Sequence, residues 1–173
     1  MRFERAALLL ALGLMLGWGI GATDEPTKIG FVDAEQVILT VKEGKSAREE
    51  LERKGREAEA KLGPLIEEYK AKGQELEARR MALSEDALKE KVLDLQALEN
   101  RIKGMQAEAQ GKLEIDQARL FGPVQEKFLE VVREVGQDHG FSVIMLSNSP
   151  SLIYRREALD VTDLVIKTFD GKS

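Results

Sequence analysis

Between Glu43 and Arg119 the chain carries a heptad pattern that leaves little choice of fold. Leu62, Tyr69, Leu76 and Leu83 recur every seven residues, and Leu51, Ala58 and Leu65 do the same, offset by four. Further on, Leu88, Leu95, Ile102 and Ala109 repeat at seven, with Leu98 and Met105 beside them. Such spacing gathers apolar side chains into one seam along a helix. The stretch has a single aromatic, Tyr69, and dense charge of both signs, which suits long solvated helices better than a globular core. Between the two seams, Ser84-Glu85-Asp86 offers an N-cap and two acids for a first helical turn. A first long helix is therefore expected to end near Met81 to Leu83, and a second to begin at Glu85. So short a turn makes them antiparallel. Each arm spans about 40 residues, or roughly 60 Å at the helical rise. That exceeds the diameter of a small domain, so the hairpin must project.

The N terminus has a different logic. Arg2 and Arg5 precede an uncharged, Leu-rich stretch from Ala6 to Ile20, and Gly21-Ala22 then leads into polar Thr23-Asp24-Glu25-Pro26. A charged start, an apolar middle and a small-residue exit describe a cleaved secretory signal peptide. The run is shorter than the ~20 residues a bilayer span requires. Cleavage is expected within residues 19–23, most simply after Ala22. Losing two arginines and one glutamate takes the formal charge from −5 to −6. The chain has no cysteine, so neither a disulfide scaffold, a lipidated junction nor a thiolate metal site is available.

The two ends flank the arm with short apolar segments. Lys28 to Asp33 reads as a strand closed by Asp33, with Gln36 completing a capping box for a short helix from Ala34. Glu43-Gly44-Lys45 reads as a break, with Ser46 and Glu49 as the next capping box. After Pro123, Val124, Phe128, Val131, Val132 and Val135 restore helical spacing up to a glycine stop at Gly140. Phe141 to Leu146 is expected as a strand, Ser147 to Ser151 as a turn, and Leu152 to Tyr154 as a return strand. Asp160 or Asp163 caps a last helix. The fold class is α+β: a small β-sheet body carrying a long antiparallel helical hairpin. Residues 1–22 are the signal peptide, 23–45 and 120–173 the body and oligomerisation domain, and 46–119 the arm. The body's packing residues are expected to be Ile29, Phe31, Phe141, Val143, Met145, Leu152 and Tyr154. So small a sheet leaves edges open and a thin core, which self-association would relieve. Gly63-Pro64 and Gly122-Pro123 are expected to interrupt the helices. Gly63, Pro64 and Gly104, which face one another if the turn centres near residue 84, form a candidate hinge in the arm.

Catalytic and metal chemistry find no support. His139 is the only histidine, the aspartates Asp33, Asp160 and Asp163 read as helix caps, and no metal-ligand spacing or phosphate-cradling glycine loop occurs. The expectation is a protein that is not an enzyme and needs no cofactor or metal. An acidic chain also argues against a nucleic acid partner.

The opening Lys28-Ile-Gly-Phe-Val-Asp33 after a signal peptide, the closing Asp160-Val-Thr-Asp-Leu-Val-Ile166, Leu120-Phe-Gly-Pro-Val-Gln125 and the charged helical hairpin between them occur in an order that resembles the Skp/OmpH family of periplasmic chaperones. The resemblance covers essentially the whole mature chain. It implies a homotrimer with tentacle-like arms around a cavity, located in the periplasm. It further implies an ATP-independent holdase that binds unfolded outer-membrane β-barrel proteins and prevents their aggregation. Client contacts would come from apolar residues off the seam, with Ile66, Val92 and Leu93 the candidates. One departure stands out: well-known members have basic arms, whereas these arms are near neutral. Contact with anionic lipid is therefore not carried over. A non-catalytic coiled-coil spacer or adaptor of the cell envelope is the alternative. An adaptor should present an unbroken seam, whereas a holdase tolerates breaks.

Overall fold

The computed structural model describes residues 27–172, so the signal peptide expected at 1–22 lies outside the described residues. β1 runs Ile29–Val32 and ends where Asp33 accepts from the Gln36 backbone N–H at 2.9 Å, capping α1, Ala34–Thr40. The chain turns at Val41, and α2 follows as Lys42–Arg79. The break expected at Glu43-Gly44-Lys45, with a restart at Ser46, does not occur; the corner is two residues earlier and Gly44 lies inside the helix. Gly44 serves close approach instead. A Cβ there would sit 1.6 Å from the Ile38 carbonyl oxygen of α1. The helix start is capped from far away, because the Lys42 N–H donates to Asp170 Oδ1 at 3.0 Å. A carboxylate at that position also suits the helix dipole.

α3 is one helix, Glu85–Asp138, that begins at Ser84, whose hydroxyl accepts from the Ala87 N–H. It is about 80 Å long at 1.5 Å per residue. The interruptions expected at Gly63-Pro64 and Gly122-Pro123 are absent, since both prolines lie inside continuous helices and face solvent. An exposed proline removes one hydrogen bond without burying the orphaned carbonyl. α3 therefore passes from the arm tip straight into the body. It stops in a Schellman motif: Gly140 takes a left-handed φ of 65°, the Gly140 N–H donates to Gln137 O, and the Phe141 N–H donates to Gly136 O.

β2, Val143–Leu146, pairs with β1 in parallel, with Ile29 opposite Val143 and Val32 opposite Leu146. A parallel pair needs a crossover, and here the entire arm is that crossover. The expected return strand at Leu152 to Tyr154 does not form, so the sheet has two strands among the described residues. The other edge of β1 is taken by the chain just past a 3₁₀ turn at Glu157–Leu159, where the Val161 N–H donates to Phe31 O at 2.8 Å. Gly30 allows this layer to close, because a Cβ would press on the Phe141 ring at 3.1 Å.

The core sits under the sheet. Val124, Phe128, Val131 and Val135 of α3 meet Val32, Val37 and Val41 from the start of the chain and Val161, Val165 and Phe169 from its end. The closing helix, α4, is Thr162–Gly171. Thr162 is only 3% exposed and its hydroxyl accepts from the Asp33 N–H at 3.0 Å, so one side chain satisfies a backbone donor 129 residues away. The Asp160 carboxylate accepts from the Thr162 N–H at 2.8 Å and pairs with Arg155 at 2.7 Å. Burial pushes the Asp160 carboxyl up, but bonds from Thr162 and Arg155 outweigh it and hold the group below its ordinary value. A depressed folded pKa stabilises above the unfolded value of about 3.9 and is lost as pH falls through the folded one. Asp160→Asn is therefore expected to lower stability by about 1 kcal/mol at neutral pH. The gap to wild type should begin to narrow below about pH 4 and vanish only once pH has fallen past the lowered folded value, in urea melts followed across pH. A gap that stays constant from about pH 7 down to about pH 2 would contradict this.

Candidate functional interface

The arm presents extended faces on either side of a seam. Its seam is as the heptads require: Leu98 and Ile102 are buried between the helices, and Leu62, Leu65, Tyr69, Leu76, Leu95 and Met105 are half-buried there. Ion pairs cross it at Lys54 to Asp116, 3.1 Å, and Lys91 to Glu75, 3.8 Å, and Lys127 joins Glu43 at its base. Most other arm pairs are local, such as Arg48 with Glu52 and Lys72 with Glu68. Each contributes little to stability in water. Their collective effect is neutralisation: Arg53 bonded to Glu50, or Lys103 bonded to Glu99, presents a dipole to solvent in place of a net charge.

Near the body the seam thins. Gly55, Ala58 and Ala109 are too small to fill the gap between α2 and α3. A cleft of about 310 Å³ opens on one side, lined by Lys54, Leu62, Met105 and Asp116, and one of about 440 Å³ opens on the other. The proposed hinge residues lie at this level. Gly63 is half-buried, Pro64 and Gly104 are exposed, and a Cβ on either glycine would meet nothing within 4 Å. Packing therefore does not demand glycine there.

The client-contact candidates do not share one environment. Ile66 is half-buried on the flank of the seam, whereas Val92 and Leu93 are exposed on α3. The body candidates also separate. Phe31 is buried within the chain, and Phe141 and Leu152 are half-buried. Ile29, Val143, Met145 and Tyr154 are exposed, and Leu146 and Ile153 join them, Ile153 at 99% and Tyr154 at 80%. Of these, Ile29 and Val143 are neighbours across the β1–β2 ladder, and Met145 shares their face of the sheet. Sequence reasoning missed Ile153, Ile115 and Leu129 as exposed apolar side chains. The last two were findable, because they fall on the side of α3 turned away from the seam.

The polar residues weighed for chemistry have structural places. Asp33 caps α1, Asp160 bonds at the start of α4, and Asp163 lies in the first turn of α4. His139 is the C-cap of α3, with its carbonyl accepting from Lys28 Nζ at 2.8 Å. Among the described residues no group of three or more His, Cys, Asp or Glu is placed to hold a metal ion, and no helix is long and apolar enough to cross a membrane.

The family model described as outer membrane protein (OmpH-like) matches residues 28–169. A crystal structure of a candidate OmpH-like outer membrane chaperone from Caulobacter crescentus CB15 shares the fold, with a TM-score of 0.67 at 18% identity, covering 85% of this chain and 86% of that one. A comparison with curated proteins finds no match.

Proposed function

The chain belongs to the OmpH-like outer membrane protein family, and on that premise we propose that it is an ATP-independent holdase chaperone of the periplasm. The observation that carries this reading is the combination of a projecting hairpin with exposed apolar side chains on the body at Ile29, Val143, Met145, Ile153 and Tyr154, which this reading takes as one patch. Patches of that kind on a soluble chain mark association surfaces. The body assembles three copies through this patch and the open edge of β2, and the arms then enclose a cavity. Residues 1–22 direct export and are removed. No catalysis and no cofactor take part.

The clients are unfolded outer-membrane β-barrel proteins. Their strands alternate lipid-facing apolar and lumen-facing polar residues, and in water the unpaired edges join other chains. Confinement between arms blocks that encounter. Many weak contacts hold the client at high effective concentration, yet each releases without an energy source.

A spacer or adaptor role is the second reading, favoured by the continuity of both arm helices past their prolines. Light scattering separates the two. A barrel protein diluted from urea should stay clear with a slight excess of trimer and scatter without it. Unchanged scattering, or a monomer in sedimentation equilibrium at micromolar concentration, would overturn the holdase reading.

A further inference from the structure

The side of α3 opposite α2 departs from the rest of the surface. At helical spacing from Leu93 to Leu129 it carries no charged residue, in a chain that is 33% charged. Leu93, Ile115 and Leu129 lie on it, 55%, 70% and 53% exposed. Gly104, Gly111 and Gly122 lie between them, each with open space where a Cβ would go, and the remaining positions are Ala, Asn and Gln. The stripe covers about ten turns, or roughly 54 Å. At its foot it opens into a groove of about 760 Å³, where Phe121 and Gly122 face Ile38 and Leu39 of α1 and Glu35 and Glu114 stand at the walls. A helix back that faces only water is normally charged.

We propose that this uncharged stripe is the wall against which an extended client segment lies, so that client capture in this protein is apolar and not electrostatic. The inference rests on the holdase reading and names its contact face. Three features select an extended chain over a second helix. Large apolar residues stand 22 and 14 positions apart, too sparse for the knob in every turn that a helix–helix seam needs. The glycines admit a backbone at close range anywhere along the stripe, which favours no single register. The length also fits, since a barrel strand of 9–11 residues extends about 30–35 Å. Its lipid-facing side chains, on alternate residues, can cover Leu93 or Ile115 while its polar side faces water. With no charge on the stripe, neither acidic nor basic clients are repelled. The near-neutral arms then belong to the mechanism.

The test is a fluorescence titration of purified protein with a dye-labelled, urea-unfolded eight-stranded outer-membrane barrel, at low and high salt. Wild-type affinity should change less than about twofold between 50 and 300 mM NaCl, since apolar contact is not screened. Gly104→Glu with Gly111→Lys keeps net charge constant and replaces two poor helix formers, so the melting temperature should not fall. It should weaken client binding about tenfold, the change expected when a charge must be desolvated against an apolar chain. Ala71→Glu with Ala78→Lys on the exposed back of α2 should stay within about twofold of wild type, because those charges remain in water. Equal loss from both pairs, no loss from the α3 pair, or a wild-type affinity that falls with salt overturns the assignment while leaving the holdase reading intact. If the α3 pair lowers the oligomer mass in sedimentation, the stripe seats a second copy and the assignment fails. Absence of any wild-type binding overturns both.

Discussion

Gly44→Ala is expected to cost about 3 kcal/mol or more, at the upper end of what overpacking does. The added methyl would lie 1.6 Å from the Ile38 carbonyl oxygen and 2.8 Å from its carbon. Both are backbone atoms, so no rotamer change relieves the clash. α1 would have to tilt away from α2 at the Val41 corner, and Val41 is fully buried in the core. A shift there also draws Lys42 from Asp170, which caps the start of α2. In a thermal melt followed by circular dichroism the midpoint should fall by roughly 10 °C. Gly55→Ala and Gly73→Ala are the controls. Neither Cβ meets anything within 4 Å, and each should gain about 0.5–1 kcal/mol from the better helix propensity of alanine. A Gly44→Ala protein as stable as those controls would show that the α1–α2 corner is not packed as described.

Phe169→Ala should be the most damaging core truncation, at about 4 kcal/mol. The ring is fully buried against α3, with Lys127 Nζ 4.4 Å from its centroid. Lys127 also reaches Glu43 at 2.5 Å, so the ring supports an ion pair between α2 and α3 at the base of the arm. Truncation leaves a cavity and removes the aromatic face beneath a cation. It also loosens α4 at the residue preceding Asp170, and with it the contacts that join the two ends of the chain. Phe169→Leu keeps most of the volume and should cost less than about 1.5 kcal/mol. Urea titrations of both variants measure the difference. Equal stability of the Ala and Leu variants would show that the site collapses without loss.

The arm was readable because its determinants are local. A seven-residue repeat places its own side chains in register, and Ser84 caps the helix that starts beside it. The same holds for the Asp33 cap and the glycine stop at Gly140. The misreadings fall where a residue's meaning depends on distant chain. Gly44 looks like a break from its neighbours and becomes a contact only because α1 folds back over it. Leu152 to Tyr154 has strand-forming residues, yet it does not pair with β2, and the other edge of β1 is occupied by Asp160 and Val161. Gly63-Pro64 and Gly122-Pro123 carry a helix-breaking signature, yet their exposure and the packing around them let the helices continue.

The candidate interface divides in the same way. The seam residues could be named from their spacing, and their burial follows. The exposed back of α3 was equally present in the spacing, but absence of charge at one helical phase is noticed only once the opposite phase is known to face α2. The exposed apolar side chains Ile153 and Tyr154 lay further from reach, because the return strand expected there does not form. By itself the sequence determined the helical hairpin, its turn and its seam, all consequences of interactions within a few turns. Tertiary structure alone decided that β1 and β2 run parallel across the whole arm, that Asp170 caps α2, that Thr162 satisfies Asp33, and which faces remain exposed. Those contacts join residues more than 100 positions apart, and no local periodicity encodes a partner at that distance.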